Sequence, residues 1–88
     1  MGQASASAHG AMEVEEELDL TGLKCPLPSL MTARTLRRLA PGTLLRVIVS
    51  DPLAPLDIRF LCEREGHGFL EQITIDAAHQ RILLRARA

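Results

Sequence analysis

Eighty-eight residues, 47% of them hydrophobic, make one small domain with modest burial per residue. Two phenylalanines, no tyrosine and no tryptophan leave Leu, Ile, Val and Ala to build the core, and they withhold the aromatic platforms on which single-stranded nucleic-acid binders stack bases. All ten Lys and Arg fall at or after Lys24; beyond residue 17 they face seven acidic groups, an excess of about +3 that helps steer an acidic protein partner but falls short of a nucleic-acid footprint.

"MGQASASAHGAMEVEEE" is polar and rich in small residues, with Glu13, Glu15, Glu16 and Glu17 crowding its end. It has neither the basic start nor the apolar stretch of a signal peptide, and no later segment approaches the ~20 apolar residues of a membrane helix. Residues 1–16 are therefore expected to be a disordered leader, ahead of a domain over residues 17–88. The expected setting is the cytoplasm, where Cys25 and Cys62 would stay reduced.

"ELDLTG" alternates, with Leu18 and Leu20 on one side and Glu17 and Asp19 on the other, and Gly22 turns the chain: a short strand. Pro26 suits a first helical position, so a helix is expected from there to about Ala40, stopped by Pro41-Gly42. Leu30, Ala33, Leu36 and Ala40 are its expected inner face. Leu27, Met31, Arg34 and Arg38 then form an outer stripe, a candidate surface for a protein partner. "TLLRVIVS" reads as a largely buried strand. "SDPLAPLD" enters a second helix, with Pro55 at its first position, Asp57 in its first turn, and Ala54, Ile58, Leu61 and Cys62 on its apolar stripe; Gly66 ends it. "FLEQITI" and "RILLRAR" are the last strands, joined by "DAAHQ" as a hairpin loop. The order β-α-β-α-β-β predicts a two-layer α/β sandwich: a four-stranded mixed sheet with both helices on one face.

The chemistry gathers at Cys25. With Pro26 opening the helix, Cys25 becomes its N-cap, where the positive end of the dipole and the charge of Lys24 favour thiolate, the nucleophilic form. The expected titration lies below the ~8.5 of an ordinary thiol. Pro26 and Pro28 remove two N–H groups from the first turn, which makes a poor phosphate cradle and stiffens the stalk carrying the sulfur. Cys62, on the apolar stripe, is expected to be a packing residue. No Cys-x-x-Cys points to a dithiol, and no Cys/His pair has zinc-ligand spacing, so no metal or cofactor is expected. His67, between two glycines, reads as a solvated turn residue and His79 as a loop residue.

"GLKCPLP" resembles the Cys-Pro-x-Pro motif of the TusA/SirA-like sulfur-carrier family, and "DPLAPLDI" resembles that family's second block, an Asp-Pro followed by an Asp-Ile. The likeness runs over about residues 17–88 in the same element order. It implies a sulfurtransferase fold and activity: Cys25 accepts a sulfane sulfur as a persulfide and passes it on, supported by Pro26 and Pro28. Asp51 and Asp57 match the second block, with a structural or partner-related role. The implied partners are a persulfide donor, such as a cysteine desulfurase or a rhodanese-like protein, and a downstream acceptor protein serving tRNA thiolation, molybdenum-cofactor supply or sulfur oxidation. Membrane and nucleic acid are not among them. The two competing readings are a one-cysteine thiol redox enzyme and a non-enzymatic regulatory or RNA-binding module; the first lacks an assignable peroxide-binding group, and the second rests on fold type and the excess positive charge alone.

Overall fold

The computed structural model describes residues 14–87; most of the expected leader lies outside them. β1 (Glu16–Leu20) leads to α1 (Leu27–Arg38), β2 (Leu44–Val49), α2 (Ala54–Glu65), β3 (Gly68–Asp76) and β4 (His79–Arg85), the expected element order. The sheet runs β1-β2-β4-β3. β1 and β2 are parallel, with Leu18 beside Val47 and Leu20 beside Val49, as the α1 crossover between them requires. β4 pairs antiparallel with both β2 and β3, which makes the sheet mixed.

Period-two alternation aims Leu20, Leu45, Val47, Val49, Ile82, Leu84 and Ala86 at the helices, where they meet Ala33 and Leu36 of α1 and Ala54, Ile58, Leu61 and Cys62 of α2 in one cluster. Both helices therefore cover the same face. The whole expected stripe of α2 is buried. Its first residue is Ala54, so Pro55 takes the second helical position rather than the first, still where a missing N–H costs nothing.

α1 departs from the expected face. Leu30 is 59% exposed and Ala40 is exposed, while Pro28, Thr32, Thr35 and Leu36 turn inward beside Ala33. The buried face thus keeps Ala33 and Leu36 but extends toward Pro28, Thr32 and Thr35 and away from Leu30 and Ala40. Two small threonines let the helix lie close to its neighbours, and a reading by hydrophobicity passes over them. The expected outer stripe keeps its place: Leu27, Met31, Arg34 and Arg38 are all exposed, and Leu30 joins them.

Gly66 closes α2 in the left-handed region at φ 82°, and its N–H and that of His67 both donate to the Cys62 carbonyl. A Cβ there would meet only Arg87 Cδ at 3.8 Å, so the obstacle is conformation and not space. Gly66→Ala should lower stability by about 1 kcal/mol, read from the urea midpoint at constant slope. An unchanged midpoint would mean that the turn relaxes freely.

The β3–β4 connection is tighter than expected. Asp76 pairs with His79, leaving Ala77 and Ala78 as the loop, and Asp76 Oδ1 accepts both the Ala78 N–H and a contact from His79 Nδ1 at 2.9 Å. β3 carries register shifts between Phe69 and Glu71 and between Thr74 and Asp76. Among the described residues, no helix is long and apolar enough to cross a membrane.

Candidate functional site

The two helices start at the same end of the molecule, and Cys25 lies in the loop entering α1. The helix opens one residue later than its proline suggested. Pro26 is the N-cap, with Pro28 in the first turn, and Cys25 sits one position outside the helix. The Leu27 N–H donates to the Lys24 carbonyl at 2.8 Å, so this turn spends one of the donors its prolines left. The Cys25–Pro26 peptide is cis.

What fixes the cysteine comes from the β2–α2 loop. Asp51 Oδ2 accepts the Cys25 backbone N–H at 2.5 Å, and its Oδ1 accepts the Leu53 N–H at 3.0 Å, so one carboxylate joins both helix entries. Those two backbone donors, then the charge of Lys24, hold the Asp51 carboxyl below the usual range. Lys24 thus acts on Asp51, where the sequence pointed it at the sulfur.

The Cys25 thiol is exposed, and its Sγ–H donates to Asp57 Oδ2 at 2.9 Å. That bond raises the thiol above its ordinary pKa, with partial desolvation and the charges of Asp57 and Asp51 adding to it. The expected low-pKa thiolate is overturned. The dipole argument needed sulfur at the cap of α1; the sulfur instead turns toward the Asp57 carboxylate in the first turn of α2. Pro26 is exposed and Pro28 buried, which anchors the stalk on the protein side.

Cys62 is 2% exposed in the core, and burial pushes its thiol up to about 11. His67 is not the solvated turn residue its glycines suggested. Its side chain is nearly enclosed; Nδ1 accepts the Arg87 N–H at 3.0 Å, and Nε2 lies 3.6 Å from Glu65, which Arg37 also grips. This cluster fastens the far end of α1 to α2 and to the segment that follows β4. Among the described residues, no group of three His, Cys, Asp or Glu is placed to hold a metal ion.

Sequence reasoning missed two features. Asp57 was assigned to a helix start without its partner, because a contact spanning 32 residues leaves no local trace. Leu53 at the cap of α2, and Leu56 and Phe60 along it, are each more than half exposed. Their spacing of three and seven, opposite the Ala54–Ile58–Leu61 stripe, was legible. With Leu27, Leu30 and Met31 on α1, they form two apolar stripes that both begin where the thiol is held.

Residues 16–86 match the family model described as sulfurtransferase TusA. Proteins of Pseudomonas paraeruginosa and Pseudomonas aeruginosa, each called sulfur carrier protein TusA, are 48% identical over 59 residues, covering 67% of this chain and 75% of theirs. The crystal structure of a SirA-like protein from Desulfitobacterium hafniense superposes with a TM-score of 0.73 at 20% identity, over 83% of this chain and 99% of that one, which speaks to the fold.

Proposed function

The chain belongs to the sulfurtransferase TusA family, and from that membership we propose that it is a sulfur carrier that takes a sulfane sulfur onto Cys25 as a persulfide and relays it to an acceptor protein. The observation that carries the reading is an exposed cysteine held by backbone and side-chain bonds at the shared start of two helices, between two apolar stripes. A carrier needs one accessible sulfur and a docking face; the exposed Cys25 and the two exposed apolar stripes support that reading. In the transfer, Cys25 sulfur attacks the outer sulfur of a donor persulfide, and the donor cysteine leaves as thiolate, as in thiol–disulfide exchange. An acceptor thiolate then attacks the outer sulfur on Cys25. A cytoplasmic setting, where thiols stay reduced, belongs to the same reading.

The test is mass spectrometry of the protein after incubation with cysteine and a cysteine desulfurase. Addition of one sulfur atom, localised to the Cys25 peptide, is the expected result. No addition from either a desulfurase or a rhodanese-like donor would sink it.

Donor and acceptor would dock on the helical layer. Arg34 and Arg38 extend the Leu27–Met31 stripe, and arginine beside adaptable methionine suits an interface. Arg34→Glu with Arg38→Glu should slow transfer from the donor protein by roughly tenfold through loss of electrostatic steering. Alkylation of Cys25 by iodoacetamide should not change. The competing role is support of the α1 C-terminus, where Arg38 lies in the last turn; that role predicts a lower melting temperature with unaltered transfer.

A further inference from the structure

The bond from Cys25 Sγ to Asp57 Oδ2 raises a chemical question for a sulfur carrier: a carboxylate that holds the proton on the thiol opposes the thiolate that must attack. Sulfur bonded to sulfur gives up its proton more readily than a thiol does, so a donor persulfide arrives largely as an anion on its outer sulfur. A thiolate at Cys25 would be repelled by that anion. A thiol that carries its own proton to the reaction is not.

The geometry points to Asp57 as the proton relay of the transfer, taking the Cys25 proton as sulfur arrives and returning it to the transferred sulfur. This rests on the carrier reading above. Cys25 Sγ forms a bond to the outer sulfur, the bond between that sulfur and the donor cysteine breaks, and the donor leaves as thiolate with the electron pair. The Sγ proton passes to Asp57 Oδ2, 2.9 Å away, and then to the sulfur now attached to Cys25. Charge and atoms balance, and no oxidant or reductant is consumed. While that proton stays, shared with Asp57, the cargo is a hydropersulfide whose outer sulfur is open to attack by an acceptor thiolate.

The surrounding charges fit this role. Asp51 is committed to the Cys25 and Leu53 N–H groups and carries the influence of Lys24. α1 brings no charged side chain in its first turn, Leu27–Leu30. Asp57, in the first turn of α2, is thus the carboxylate left in contact with the sulfur.

The test compares native protein with Asp57→Asn and Asp57→Glu, using iodoacetamide and glutathione persulfide as probes and mass spectrometry of the Cys25 peptide as readout. In Asp57→Asn the midpoint of alkylation against pH should fall toward the ~8.5 of a free thiol, and alkylation at neutral pH should quicken. Sulfur loading should slow by about a hundredfold, the range of a lost general acid–base group. A better nucleophile that is a worse acceptor is a signature that mere loss of structure does not produce. Asp57→Glu, one methylene longer, should recover part of the loading. An unmoved midpoint, or loading that rises in step with alkylation, overturns the relay. A native protein that takes up no sulfur while the midpoint still shifts defeats the carrier reading and the relay with it, and leaves only the hold of Asp57 on the thiol.

Discussion

Cys25→Ser is expected to abolish sulfur acceptance outright, whereas Cys62→Ser should leave it largely intact. A serine hydroxyl keeps the bond to Asp57 and hence the loop, but oxygen forms no persulfide, so loss of uptake with an unchanged melt isolates the chemistry. Cys62 is enclosed by the core of α2 and the sheet, with its thiol pushed up to about 11, out of reach of a partner. Its replacement buries a hydroxyl without a dedicated acceptor and should lower stability by about 1–3 kcal/mol. Sulfur uptake by mass spectrometry and thermal unfolding by circular dichroism, on both variants, separate the two roles. A Cys62→Ser protein that melts normally yet accepts no sulfur would reverse the assignment.

Ile58→Ala should have the largest effect on stability. Ile58 is fully buried in the cluster that joins α2 to the sheet. Removing its outer carbons forfeits their burial and leaves a void, together about 2–5 kcal/mol. Small domains are stable by only about 5–15 kcal/mol, so a fall in Tm of more than about 10 °C is the expected reading. Ile58 also follows Asp57 in sequence. A looser start of α2 should weaken the hold on Cys25, and neutral-pH alkylation should quicken even at temperatures where the variant remains folded. A drop in Tm with no change in alkylation would mean that the Asp51 anchor alone keeps the loop in place.

The fold was legible because its signals are local. Alternation in "ELDLTG" and "RILLRAR", the β-branched run of β2 and the glycine at the end of α2 each depend on neighbours a few residues apart. The face of α1 was misread where burial and hydrophobicity part company: Thr32 and Thr35 are inside, and Leu30 is outside. The site was half legible. Gly-x-x-Cys-Pro-x-Pro marked Cys25, which is exposed at the helix entries, and Leu27, Met31, Arg34 and Arg38 were placed on the surface correctly. The electrostatics were reversed, because the group that decides them is Asp57, brought to the sulfur by the crossover through β2. The burial of His67 was hidden in the same way, since Arg87, which donates to it, is 20 residues further on.

The two register shifts in β3 bear on how the protein keeps company with itself. Among the described residues, β1 and β3 are the margins of the sheet, each paired on one side, and β3 exposes Leu70 and Ile75 along nine residues. A flat margin of that length is a template on which another copy can add a strand, and then another. The bulges near both ends of β3 twist and interrupt the row of free N–H and C=O groups, and the short β1 presents Glu17 and Asp19 on the outer side of its alternation. Both strand margins are therefore poor templates for a further strand, even beside the apolar stripes on the helices.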